Sequence, residues 1–293
     1  MDGRRLGLSG AVDAATAWVL SAWSADVEAR RVVKVLKRFI QFSYQGFRIA
    51  WLDEVTPEVA AQFVNATAGG GEAASVSLRH LRRLAVRLLF RVARSEGHQL
   101  GDPTLDIHLP SRSQLSTRPL MDAEVMICRG AAQWSLEDTR RTAAWALAEA
   151  TCRTAELPFI TVADLELKRS RVWIHGGRRP AERWGRLDEW AVEHLGRRLA
   201  VVGEDPAAPV VYSGDDQRGA GQVAACTAIQ DVLVRAGLGG EPDVRAASVA
   251  AWAGRRILNE TGRIDVVAHR LGLRSLDRAA RIIAWDWLEE PER

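Results

Sequence analysis

Nearly all of the basic residues in this chain are arginines, and the spacing of several points at phosphate. Arg79, Arg83 and Arg87 recur at i, i+4 and i+8, which places them on one face of a helix, with Arg82 and Arg91 close by. A guanidinium is a planar fork of donors that can hold a phosphate through two hydrogen bonds. A row of them therefore suits successive phosphates of a nucleic-acid backbone. Lys37 and Arg38 form a further basic pair upstream. The competing reading of such a charge run is an ordinary solvated helix face. Arg153 and Glu156 stand three apart, the spacing of a helix-end ion pair. Arg178, Arg179 and Arg183 cluster around a predicted hairpin. Phenols and thiols are few. Tyr44 and Tyr212 are the only tyrosines, and Cys128, Cys152 and Cys226 are too scattered for a disulfide framework or a paired-cysteine metal site.

The elements that must position these residues read as mostly helical. Val33, Leu36, Phe39 and Ile40 recur at helical spacing and give residues 26–42 one apolar face. Thr56-Pro57-Glu58 opens a helix over 57–65, with Thr56 as cap and Pro57 in the first turn. Leu78, Leu81, Leu84, Leu88 and Val92 predict the buried stripe of a long helix over 75–95, its arginines on the polar face. Residues 101–119 hold three prolines and no periodicity, which marks a linker. The expected domains are thus 1–110 and 121–293, joined by 111–120. In the second, helices are expected over 122–131, 136–154, 187–199, 220–236, 246–260, 264–271 and 275–285. Short strands are expected at 162–167, 171–175 and 210–212.

Composition bounds the class. With 293 residues, 47% hydrophobic and 26% charged, the chain can bury a core and is not globally disordered. Lysine occurs only at 34, 37 and 168, so the arginine excess follows a general compositional bias and does not by itself signal nucleic acid. The charge distribution says more: 16 basic against 11 acidic residues through Arg118, then 24 against 26. Any polyanion is expected mainly on the first part. No apolar run approaches 18 residues and no signal-peptide core is visible, so a cytoplasmic, nucleoid-associated protein without membrane contact is expected.

From Ser77 onward, the order of motifs resembles that of the tyrosine recombinases (the phage integrase family). The arginine-rich helix is followed by Gly97, Asp102-Pro103, Ile107-His108-Leu109-Pro110, and then Arg118-Pro119-Leu120-Met121-Asp122-Ala123-Glu124-Val125. Arg153-Thr154-Ala155-Glu156-Leu157, with Asp164 beyond it, is similar to the family's first catalytic box. The resemblance implies a mainly α, two-domain protein: a helical SAM-like core-binding domain, then a catalytic-type domain that is mostly helical with a small β-hairpin. It implies double-stranded DNA as partner and no cofactor or metal. It assigns scissile-phosphate binding to Arg153, and DNA contact to Lys37, Arg38, Arg79, Arg82, Arg83, Arg87, Arg91, Arg178, Arg179 and Arg183.

The rest of the family's catalytic set does not match. The hairpin lacks the family's lysine; Lys168 just before it is the nearby candidate, with Arg178 or Arg179 as cations that donate protons poorly. The second box would place its histidine at Ala247 or Ser248 and its arginine at Ala250 or Ala251, with Arg245, Arg255 or Arg256 as substitutes. Its later histidine falls on Leu273, and the nucleophile's window, 281–285, holds no tyrosine. Trp285 and Trp287 have no nucleophilic oxygen. The expected protein binds duplex DNA without cutting it, with Arg153 vestigial, as an accessory or regulator in recombination that pairs with an active recombinase or with itself. Two alternatives stand: an active integrase using Tyr212 or working in a hetero-assembly, and a protein-interaction module on the same fold. Residues 262–281 also read as a helix-turn-helix or as two short packed helices.

Overall fold

The computed structural model describes residues 5–22, 27–68, 71–110, 117–133, 138–177 and 180–285. The chain divides into two compact units, Met1–Arg112 and Ser113–Arg293. Much of the expected linker, 111–116, lies outside the described residues.

The first unit contains α1 (Leu8–Ala22), α2 (Val27–Phe47), α3 (Pro57–Asn65) and α4 (Val76–Ser95). Thr56 caps α3 by accepting from the Val59 amide at 3.4 Å, and Ser75 caps α4 by accepting from Leu78 at 3.2 Å. Helix α1 was not expected. Its small residues are spread around the axis and give a weak amphipathic signal, yet Leu8, Val12, Ala15 and Val19 are buried. Helix α4 packs against α1, α2 and α3 and is buried without interruption from Arg82 to Phe90. Phe39 and Phe63 meet edge to face with ring centroids 4.9 Å apart.

The second unit runs α5 (Asp122–Ala132), α6 (Thr139–Glu149), β1 (Leu165–Glu166), β2 (Arg171–Ile174), β3 (Arg183–Arg186), α7 (Glu189–Val202), α8 (Gln222–Arg235), α9 (Ala247–Thr261), α10 (Ile264–Arg270) and α11 (Leu276–Ile282). The strands form an antiparallel sheet in the order β1-β2-β3, with Trp173 opposite Trp184. Helix α6 is the hub. It packs against α5, α7, α8 and α9, and Trp145 is fully buried in it. Residues 162–164 are a 3-10 turn rather than strand, because the Asp164 carboxylate accepts from both the amide and the hydroxyl of Thr161 at 2.9 and 3.0 Å. Residues 210–212 form no strand; the one ladder contact nearby is an isolated bridge between Thr161 and Pro209. Helices α10 and α11 fold onto α9 with Val267, Leu271, Ala279 and Ile283 buried, the packed-helix reading of 262–281.

The Arg118…Glu124 motif is a buried ion-pair network. Arg118 makes a two-pronged bond to Glu124 at 2.7 and 2.8 Å and reaches Asp243 at 3.3 Å. Its backbone amide also donates to the Asp243 carbonyl at 2.9 Å, and the Leu120 amide to Ser248 at 3.4 Å. The start of α5 is thereby fastened to the start of α9.

Candidate nucleic-acid interface

The arginine read as phosphate-holding stands on a strained corner. Helix α6 ends at Glu149, and two residues on, Thr151 has φ +76°, a conformation that a β-branched residue rarely adopts and that a glycine would take freely. Three bonds hold it there. Its hydroxyl donates to the Arg270 carbonyl at 2.7 Å, its amide donates to Ala148 at 3.0 Å, and its carbonyl accepts from Arg183 at 2.7 Å. The Arg153 amide then donates to Glu156 at 2.9 Å, and its guanidinium gives Nη2 to the Leu271 carbonyl at 2.9 Å. Its Nε and Nη1 meet no acceptor among the described residues. Burial, helped by the nearby charges of Arg183 and Arg278, draws its proton affinity below the usual arginine value.

Arg183 corrects an expectation. It is 3% exposed and every N–H is committed within the protein. Nη1 and Nη2 grip Glu156 at 2.9 and 2.8 Å, Nε donates to the Arg270 carbonyl at 3.0 Å, Nη1 to Ala181 at 3.0 Å and Nη2 to Thr151. Glu156 pairs with Arg183, and not through its side chain with that of Arg153. Gly272, at φ +65°, lets the chain pass: a Cβ there would come within 2.7 Å of the Arg183 guanidinium and 2.8 Å of the Ala181 carbonyl. Arg183 therefore locks β3, the Arg153 loop and the end of α10 together and has no donor left for DNA.

Arg153 lines an open cleft of about 1130 Å³ together with His175, Arg218, Arg278 and Phe159. Arg218 lies in a π-helical turn, Gln217–Gly221, and Arg278 on the exposed side of α11; sequence reasoning missed both as partners of Arg153. Arg278 follows the Ser275 cap by three residues, a spacing that marks a helix start but says nothing about which cleft it faces. His175 follows β2 directly and pairs with Asp164 at 2.9 Å. Lys168 lies at the opposite end of β2 and does not line the cleft. Arg178 and Arg179 fall outside the described residues, as does Trp287. Three guanidiniums around one cleft can neutralise and orient a phosphodiester. Among the described residues, none lining this cleft carries a hydroxyl or thiol to attack it.

The second-box positions are filled by small residues. Ala247, Ala250 and Ala251 line a separate opening on the other side of Arg153, and Ser248 is buried and capping, accepting from the Arg245 amide at 3.0 Å. The proposed substitute arginines are engaged elsewhere: Arg245 with the carbonyls of Glu241 and Val244, Arg255 with those of Ile283 and Ala284, and Arg256 with Glu260. Tyr212 folds its ring against Gly214 and Gly221 and lines neither opening beside Arg153. Cys152 lines the second opening, but burial pushes its thiol well up, which disfavours the thiolate that a nucleophile needs. Among the described residues, no group of three or more His, Cys, Asp or Glu is gathered to hold a metal.

In the first unit the arginines of α4 are also reassigned. Arg82 is 6% exposed and donates to the carbonyls of Phe63, Val64, Ala66 and Thr67, the free end of α3. Arg83 is buried and donates to the Ile107 carbonyl at 2.7 Å. Arg87, 4% exposed, donates to Thr104 at 3.0 Å and pairs with Asp102 at 3.4 Å. These three tie the 102–110 segment and the α3 terminus to α4 and cannot present a phosphate-facing row. Arg79 is half-buried and bound to Asn65 at 2.9 Å, and Arg91 is half-buried and also engaged. Arg87→Met is expected to cost about 3 kcal/mol in urea unfolding, since Asp102 loses its buried partner, with an unchanged salt slope of DNA binding.

Lys37 and Arg38 are exposed on α2, as are Arg30, Arg31 and Lys34. At 100° per residue they occupy one arc opposite the buried Val32, Leu36 and Phe39, and residues 29–48 contain no carboxylate. The basic stripe of this unit is α2.

This architecture, a helical unit followed by a helical unit carrying a three-stranded sheet beside the arginine cleft, is that of the tyrosine recombinases. XerA recombinase is similar over 96% of this chain and 94% of its own, at 17% identity and a TM-score of 0.51. Also similar are XerH recombinase bound to palindromic difH substrate (16% identity, 87% of this chain and 76% of that one, TM-score 0.48) and a lambda integrase dimer bound to a COC' core site (16%, 99% and 80%, 0.46). At these identities the likeness is one of fold. No protein-family profile and no curated protein sequence matches the chain. No described helix is long and apolar enough to cross a membrane.

Proposed function

We propose that the protein binds duplex DNA on a tyrosine-recombinase scaffold without cutting it, and serves as an accessory or regulatory component of recombination or integration. One observation carries this reading: Arg153 shares an open cleft with Arg218, Arg278 and His175, while among the described residues no phenol, hydroxyl or thiol lines that cleft. Phosphate binding needs the cations alone. Cleavage needs an oxygen to attack phosphorus, and general acid catalysis of the leaving oxygen. The hydroxyl of Tyr212 is packed away from Arg153, which disfavours the displaced-nucleophile reading. The α2 face supplies a second set of cations for the backbone. Partners of this class are duplex DNA and either an active recombinase or a second copy of the chain, and a protein working on DNA inside the cell is the matching location.

The test uses nicked suicide duplexes of random and palindromic sequence. Retardation at low salt with no covalent adduct on denaturing gels is the expected result. An adduct abolished by Tyr212→Phe would establish the active reading instead. Absence of any salt-sensitive DNA binding would favour the interaction-module reading.

A further inference from the structure

The second opening beside Arg153 is a cavity of about 460 Å³, and its chemistry differs from that of the cleft. One wall is a face of the first turns of α9 made wholly of alanine: Ala246, Ala247, Ala250 and Ala251. The floor is buried and apolar, from Cys152, Ile229, Ala251 and Leu271, while Ala247 and Arg281 at the mouth are exposed. Two guanidiniums border this apolar space. Arg281 makes no ion pair among the described residues, and Arg153 has Nε and Nη1 unclaimed. Interiors are close-packed and rarely keep voids much larger than a water molecule. A space of this size lies within the range of small-molecule sites, which are mostly apolar with a few placed polar groups.

We propose that this cavity is a binding site for a small amphipathic anion, a molecule with an apolar body and one carboxylate. The body would cover the alanine wall and the floor, and the carboxylate would reach Arg153 and Arg281. Charge complementarity selects this occupant: a neutral apolar molecule leaves both guanidiniums unanswered, and a polyanion does not fit an alanine-lined interior. Because Arg153 borders both openings, the site is tested in the absence of DNA.

The experiment is calorimetric titration of the full chain, without DNA, with decanoate below its micelle concentration and with 1-decanol as the neutral control. Saturable 1:1 uptake of decanoate, at least tenfold tighter than decanol, is expected. Arg153→Gln and Arg281→Gln should each erode that preference while leaving decanol binding unchanged. Ala250→Trp should abolish uptake by filling the space; Ala247→Phe at the exposed mouth serves the same end if the first variant fails to fold. Absence of saturable uptake, or uptake indifferent to both filling variants, overturns the proposal. So does a result in which filling abolishes only self-association, seen by light scattering, because the cavity would then be a socket for protein.

Discussion

Arg183→Met is expected to lower the unfolding free energy by about 3–5 kcal/mol. The cause is the group left behind. Glu156 is 3% exposed, and its carboxylate depends on the two-pronged bond from Arg183. The carbonyls of Thr151, Ala181 and Arg270 lose their donor as well. Urea unfolding followed by tryptophan fluorescence measures the loss. Arg183→Met combined with Glu156→Leu should recover a large part of it, because removing both partners takes away the uncompensated charge. A wild-type unfolding midpoint for Arg183→Met, together with weakened DNA binding, would restore the DNA-contact role assigned to Arg183 from sequence and overturn the structural one.

Neutralising the α2 face is expected to have the largest effect on DNA affinity. The triple variant Lys34→Gln, Lys37→Gln, Arg38→Gln removes three exposed cations from one helical arc. Each phosphate contact contributes about 0.9 to the slope of log affinity against log salt. Losing three should flatten that slope by about 2.7 and weaken binding about 500-fold at 0.1 M salt relative to a 1 M reference. The loss should be the same for every duplex sequence, since phosphates carry no sequence information. Fluorescence anisotropy across a salt series checks both numbers. An unchanged slope would show that α2 does not meet the backbone.

These expectations reverse part of what the sequence implies. The arginines of α4 have the spacing of a phosphate row, and spacing alone cannot say what covers a helix face. The covering pieces are the 102–110 segment, marked as linker by its prolines, and the end of α3. Neither has backbone partners enough of its own, so Arg82, Arg83 and Arg87 satisfy their carbonyls. Lys34, Lys37 and Arg38 of α2 lie under no such segment and stay exposed. Helix α1 escaped notice for a different reason: Leu8, Val12, Ala15 and Val19 recur at helical spacing, but apolar residues all round the axis leave little contrast between its faces.

The sequence by itself determined the helical class, the order of motifs and the absence of a tyrosine in 281–285, because periodicity and residue identity are local properties of the chain. The tertiary structure alone decided which guanidiniums are free. It gathered Arg153, Arg218 and Arg278, far apart in the chain, around one cleft, and spent Arg183 on Glu156. An arginine's role is set by whether a carboxylate or carbonyl reaches it first, and the partners that claim it come from distant parts of the fold.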